Sequence, residues 1–301
     1  MRPIWIVLIY VSSVFVLGAL LAPWLYWSAQ AAAPLGPLFR YFADSPFHRY
    51  VLRSILGVAL LGIWIVSRYA GIRSWRDLGF ATHRRSGREF GTGLLLGFVS
   101  LAVVAILAVL FGARHWNTAV TASRIQESMA RALVAAVVVS LIEETLFRGV
   151  LHGTLRRGHH WATALFCSSG IYAIVHFFKL VEWTEPLTWY SGLQLLGRMM
   201  QGFLDLEMLI PPFLVLLLVG MILALGFERT GSLWFSIGAH AGWIFWLKIY
   251  GVVTAPNGSR LVSFWGTSKL TDGWFAAIVL MVPLFVLWDS KRLRTANIPI
   301  D

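Results

Sequence analysis

The sequence predicts an all-α protein, a polytopic membrane helix bundle of about eight transmembrane helices. Three observations carry that prediction. Hydrophobic residues make up 58% of the 301 positions and charged residues only 13%, whereas an ordinary soluble domain is roughly 45–50% apolar with glycine included. Apolar stretches of about 18 residues or more recur eight times, and about 20 residues at 1.5 Å rise cross a hydrocarbon core of ~30 Å. The net charge of +11 is spread singly and in pairs between those stretches. That is the distribution of an integral membrane protein and not the basic face of a nucleic-acid binder.

The first stretch, 4–27, is too long for the apolar region of a signal peptide and ends at Trp24, Tyr26 and Trp27, aromatics suited to a membrane interface, so it reads as a retained helix. Stretches 51–70 and 90–111 follow. Gly93 and Gly97 in the latter have the small-xxx-small spacing of close helix packing, and with no strand before them they are not a nucleotide loop. Next come 132–152 and 161–178. In 208–227, Pro211 and Pro212 fall in the first predicted turn, where a helix tolerates proline. Stretch 231–249 follows so closely after Thr230-Gly231 that the two form a tight helical hairpin, and 273–288 closes the series. The connections 117–131 and 182–207 mix apolar and charged residues, and each reads either as an interfacial helix or as a solvated loop with local helix. Dense basic clusters in 68–88 and in the tail (Lys291, Arg292, Arg294) put both termini in the cytoplasm. Cys167 is the only cysteine, which excludes a disulfide scaffold.

Among the 14 acidic residues only Glu143 and Glu144 lie well inside an apolar stretch. Such a charge costs ~2.5–3.5 kcal/mol at the bilayer centre, so it faces the protein interior or water and marks a functional site. Glu144 and Arg148, at i and i+4, share a helix face, while Glu143 points about 100° away. One carboxylate can therefore be held as a salt-bridged anion while the other is poised as a general base. A plain ion pair that locks helices or lines an ion path is the alternative. His176 and His240 are the histidines inside apolar stretches. Either alone reads as a core residue; beside two glutamates they read as groups that activate water or donate to an oxyanion. Counting 1.5 Å per residue, Glu143 and His240 lie at matching depths of about 14 Å, and His176 comes out about 9 Å too far along.

At these residues the sequence resembles the CPBP family, the CAAX-protease and bacteriocin-processing group of intramembrane proteases, also called Abi, with a Rce1-type eukaryotic prenyl protease among its relatives. Glu143, Glu144 and Arg148 match its Glu-Glu-x-x-x-Arg motif within EETLFRGVLHGTL. Tyr172 and His176 match an aromatic followed by His, with Tyr in place of the usual Phe. His240, in RTGSLWFSIGAHAGWIF, matches a His followed four later by Asn, but Ile244 stands where Asn is expected. The resemblance covers about 130–250. It implies an intramembrane endopeptidase in which Glu143 and His176 activate the hydrolytic water, Glu144 and Arg148 organise the site and His240 helps bind the oxyanion. Ile244 removes the residue expected to assist His240, so activity is reduced, supplied by another donor, or lost.

The rivals leave other marks. No His-Glu-x-x-His and no Gly-x-Gly-Asp occurs, which disfavours the usual zinc and aspartyl types. Ser169-Gly170 suggests a rhomboid-like serine enzyme, but Cys167 stands where its glycine is expected. Zn²⁺ on Glu143, His176 and His240 is the metal variant; otherwise no cofactor is implied. A catalytically inactive scaffold or regulator and an ion-carrying transporter are the non-enzyme readings. The expected organisation is 1–130 as N-terminal transmembrane helices, 131–250 as the protease-like core and 251–301 as the last helix with a basic cytoplasmic tail. The expected setting is the bacterial inner (plasma) membrane, with a membrane protein or peptide as substrate and no nucleic acid as partner.

Overall fold

The computed structural model describes residues 3–80, 83–178, 180–203, 206–258 and 261–288. The basic tail carrying Lys291, Arg292 and Arg294 lies outside the described residues. In chain order the helices are α1 (Pro3–Ala32), α2 (Pro37–Ala43), α3 (Phe47–Ala70), α4 (Ser86–Leu110), α5 (Ala122–Glu144), α6 (Gly153–Arg156), α7 (Trp161–Val175), α8 (Ser191–Met199), α9 (Leu206–Thr230), α10 (Trp234–Val253), α11 (Val262–Trp265) and α12 (Trp274–Trp288). Of the described residues 77% are helical. The one sheet among the described residues is an antiparallel ribbon of β1 (Arg114–Trp116) and β2 (Thr254–Pro256). Each of the eight apolar stretches lies mainly in helix, 161–178 leaving it after Val175. Among the described residues four helices, Pro3–Leu35, Phe47–Ala70, Ser86–Leu110 and Leu209–Thr230, are long and apolar enough to cross a membrane; α7 and α12 are apolar but shorter.

Several local expectations are corrected. Segment 122–131 is neither a separate interfacial helix nor a loop: Thr121 caps α5 by accepting the Arg124 N–H at 3.3 Å, and the helix runs unbroken into the apolar stretch. Pro211 and Pro212 lie inside α9, because that helix already begins at Leu206. Within 182–207 a helix does form, α8, followed by a 3₁₀ turn over Met200–Phe203.

The chain divides into two compact units that are discontinuous in sequence. The first comprises 1–71 and 175–209, the second 72–174 and 210–301. The consecutive blocks 1–130, 131–250 and 251–301 follow resemblance, whereas these units follow packing.

In the first unit α1 and α3 approach closely at Gly18, where a Cβ would sit 2.6 Å from the Ile55 Cα. Tyr10 donates to the Ala59 carbonyl at 2.6 Å. Ala22, Phe47, Tyr50, Val51, Leu195 and Met199 join α1, α3 and α8 in one buried cluster.

In the second unit a core that includes Leu101, Leu165, Ile222, Leu223, Leu225 and Leu280 gathers α4, α7, α9 and α12. α10 runs through its middle, and its seam with α4 is made of glycines from both sides. A Cβ on Gly93 or Gly97 would strike the backbone at Phe235 or Ala239, and one on Gly238 or Gly242 would strike the backbone of α4. Small residues at four-residue spacing let the two backbones touch. On its other side α10 meets α5 through Ala136, Ala241 and Ile244. His240 sits between those two contacts.

Candidate active site

α5 does not end at Glu144. Residues Thr145–His152 continue it as π-helix, which α6 then completes to Arg156. Such wide turns recur at functional sites. Glu144 and Arg148 pair across this junction, with Arg148 Nη1 3.0 Å from Glu144 Oε1 and both side chains buried. Arg148 Nη2 also donates to the Gly220 carbonyl on α9 at 3.2 Å. α9 and α7 are close together at this level, since a Cβ on Gly220 would lie 2.9 Å from that of Ser169. The Arg148 guanidinium lies over the Tyr172 ring, 4.6 Å from its centroid, and Phe147 meets that ring edge-on at 5.0 Å.

His240 is held from both sides. Its Nδ1 is 2.7 Å from Glu144 Oε1, so one carboxylate oxygen serves both Arg148 and the imidazole. Its Nε2 faces Glu143 Oε2 at 3.8 Å and the Tyr172 hydroxyl at 3.5 Å. The two glutamates therefore divide as their spacing predicts. Glu144 is fully buried, whereas the Glu143 side chain keeps 24% of its exposure. Glu144 is thus the carboxylate held by Arg148, and Glu143 the one that keeps part of its surface. A carboxylate, an imidazole and a phenol converging within 4 Å can take a proton from water and donate to an oxygen that gains negative charge.

Four of the five sequence-predicted residues, Glu143, Glu144, Arg148 and His240, thus come together in the second unit. His176 is carried by the first unit, exposed, in the turn that follows α7. α7 ends at Val175, so depth counting along one continuous helix does not apply to it. Ile244 packs with Ala136 and Ala241 and takes no part in the polar cluster. Among the described residues no group of three His, Cys, Asp or Glu is placed to hold a metal ion.

A second buried polar cluster escaped the sequence. His152 Nε2 is 2.7 Å from Glu228 Oε1 and its Nδ1 is 3.0 Å from Ser168 Oγ. Arg156 Nε donates to the same Glu228 oxygen at 2.5 Å. His152 closes one apolar stretch and Glu228 follows another, so each reads as a segment end. The available signal was the i, i+4 spacing of His152 and Arg156.

Residues 125–246 match the family described as type II CAAX prenyl endopeptidase Rce1-like. The matched segment holds α10 up to Trp246 and every residue of the cluster around His240. No curated protein and no solved structure matches the chain. At family level the match denotes a CAAX-type intramembrane protease acting on membrane-associated protein in a lipid bilayer, which agrees with the apolar helices of an integral membrane protein. Over residues 125–246, less than half of its length, the chain is similar to the Rce1-like family, in agreement with the resemblance to the CPBP (Abi) group read from its motifs.

Proposed function

We propose that this chain is a glutamic intramembrane endopeptidase that hydrolyses a peptide bond of a membrane-associated protein or peptide without a metal, with Glu143 as general base. One observation carries the reading: the two ring nitrogens of His240 face two different carboxylates. Glu144, itself held by Arg148, accepts the Nδ1–H and fixes the ring, as an acid does for histidine in a hydrolytic triad. Nε2 is then presented to the substrate beside Glu143. Glu143 takes a proton from water while the water oxygen bonds to the scissile carbonyl carbon. The carbonyl oxygen becomes an oxyanion, which accepts from the Tyr172 hydroxyl and from His240 Nε2–H, the ring in this step being an imidazolium that donates Nδ1–H to Glu144 at the same time. As the C–N bond breaks, the proton held by Glu143 passes to the leaving amine. His176 keeps, from the resemblance alone, the role of helping Glu143 activate the water.

Glu143→Gln, purified and folded, is expected to lose about 10²–10⁴ in cleavage rate, the usual contribution of a general base. Full retention of proteolysis would sink the proposal. Chelators are expected to leave the rate unchanged, and sensitivity to them would favour the zinc variant.

The apolar packing of Ile244 favours a second reading, a membrane scaffold that keeps the fold without the chemistry. Hydrolysis of a peptide by the purified chain, abolished by His176→Ala, decides against it. The bacterial inner membrane and cytoplasmic termini belong to this proposal, as the setting in which basic loops and tail are retained inside.

A further inference from the structure

At the end of α10 away from Trp234, the β1–β2 ribbon, the last turn of α10 and the segment around α11 line a half-open cavity of about 470 Å³, within the range of small-molecule sites. Thr254, which opens it, lies 14 residues beyond His240, or about 21 Å along the helix direction. The cavity is therefore separate from the Glu143 cluster. Its walls include Arg114, Gly251, Thr254, Val262, Trp265 and Ser268.

Arg114 is the anomaly. Its side chain is buried, with 6% of its surface exposed, yet among the described residues no carboxylate pairs with it. Nε donates to Thr254 Oγ1 at 2.8 Å and Nη2 to the Thr254 carbonyl at 2.9 Å, and the Tyr250 ring lies 4.9 Å from the guanidinium. Those contacts use two of the five guanidinium N–H donors and bring no negative charge. A buried cation that makes no ion pair is costly unless an anion accompanies it. One carboxylate stands at the edge of the cavity: Asp272, beside Gly266, accepts from Thr267 N at 2.8 Å and from Thr267 Oγ1 at 2.5 Å, and makes no ion pair with Arg114. Ser268 lies exposed beside Gly251, a free hydroxyl at the edge of the cavity.

We infer that this cavity is a binding site for a phosphate-type oxyanion, with Arg114 as its counter-charge. The remaining guanidinium N–H groups match two phosphoryl oxygens in the planar, bidentate manner that arginine favours, and Ser268 adds a hydroxyl donor. Leu110, Phe111 and Val262, all exposed, neighbour the site in sequence. Apolar groups around a buried arginine at the end of membrane helices suit the head of an anionic phospholipid.

The test uses the full chain. In detergent at constant ionic strength, the thermal midpoint is followed against inorganic phosphate. In nanodiscs, retention of phosphatidylglycerol is compared with phosphatidylcholine by native mass spectrometry. Arg114→Gln and Ser268→Trp are run beside the parent; the second fills the mouth from an exposed position and leaves the buried arginine intact, so it decides the matter if the first fails to fold. A saturable rise of the midpoint with phosphate, its apparent Kd weakened at least tenfold in the variants, assigns the site to a free anion. Selective retention of phosphatidylglycerol, lost in the variants, assigns it to a lipid headgroup. No saturable response to phosphate and no lipid preference in the parent overturns the proposal, as does an undiminished response in Ser268→Trp.

Discussion

Tyr172 stands where the family pattern has Phe, and Ile244 where it has Asn, and both departures bear on one imidazole. The Tyr172 hydroxyl lies 3.5 Å from His240 Nε2, while Ile244, one turn beyond His240, is turned into the apolar seam with α5. A phenol placed there supplies a donor that position 244 no longer offers. Tyr172→Phe is accordingly expected to lower kcat by ~10², toward the low end for loss of an oxyanion donor, with the thermal midpoint little changed. Ile244→Asn in that background should recover part of the rate. It should also cost about 1–3 kcal/mol of stability, because its amide enters an apolar contact. An unchanged kcat for Tyr172→Phe would remove the hydroxyl from the mechanism.

At the scale of elements, His240 is positioned by a helix that carries no proposed catalytic group. α4 sets α10 through the glycine seam, so Gly97→Val has no room and must move α10. The expected result is about 1–3 kcal/mol of overpacking together with a loss of up to ~10² in cleavage rate, since a shift near 1 Å in a catalytic group costs that much. Thermal midpoint and kcat measured on the same sample check both. The cluster of His152, Ser168, Glu228 and Arg156 ties the π-helix and α6 to α7 and α9. Truncating His152 to Ala leaves the buried Glu228 with only the half-buried Arg156, and ~3 kcal/mol is the expected loss, near the low end for breaking a buried ionic cluster. Outside the membrane segments, Asp77 accepts from the Arg73 and Ser74 N–H groups at 2.9 Å each. The Arg73 N–H, followed by Ser74, holds its carboxyl below the usual value, against a smaller opposing effect of burial. Because the folded pKa is depressed, the turn's added stability is present above the ordinary carboxylate pKa and fades as pH falls through the lowered one. Asp77→Asn should flatten that acid limb in a pH titration of the midpoint.

These elements also show what the sequence could convey. Glu143, Glu144 and Arg148 were legible because helical spacing assigns them to faces and because charge inside an apolar stretch has so few explanations. The small-xxx-small reading of Gly93 and Gly97 held for the same reason: spacing alone prescribes close approach. The π-helix over Thr145–His152 was not legible, since a change of hydrogen-bond register leaves no mark in composition. Nor was the partnership of His152 with Glu228, 76 residues apart, in which each residue alone looks like a segment boundary.

For the molecule as a whole, the composition identified the solvent, and the eight apolar stretches all proved mainly helical. Their grouping into two compact units did not follow from order along the chain, because 175–209 packs with the first helices and 210–301 with the middle ones. The proposed topology makes a simple prediction: a reporter that fluoresces only in the cytoplasm should be active when fused after Asp301, and an export-dependent phosphatase at the same place should not. The opposite pattern would invert the proposed orientation.

The glycine seam has one more consequence, for how little of the chain can be cut away. The family match begins at residue 125, yet α4, which receives the face of α10 carrying Gly238 and Gly242, lies upstream of it. A fragment trimmed to the matched residues would expose to lipid or detergent a face whose backbone is uncovered by side chains, with no neighbour to fix the rotation of α10. The smallest autonomous hydrolase therefore starts no later than Ser86, and α4 supplied as a separate peptide is expected to restore activity to the shorter piece.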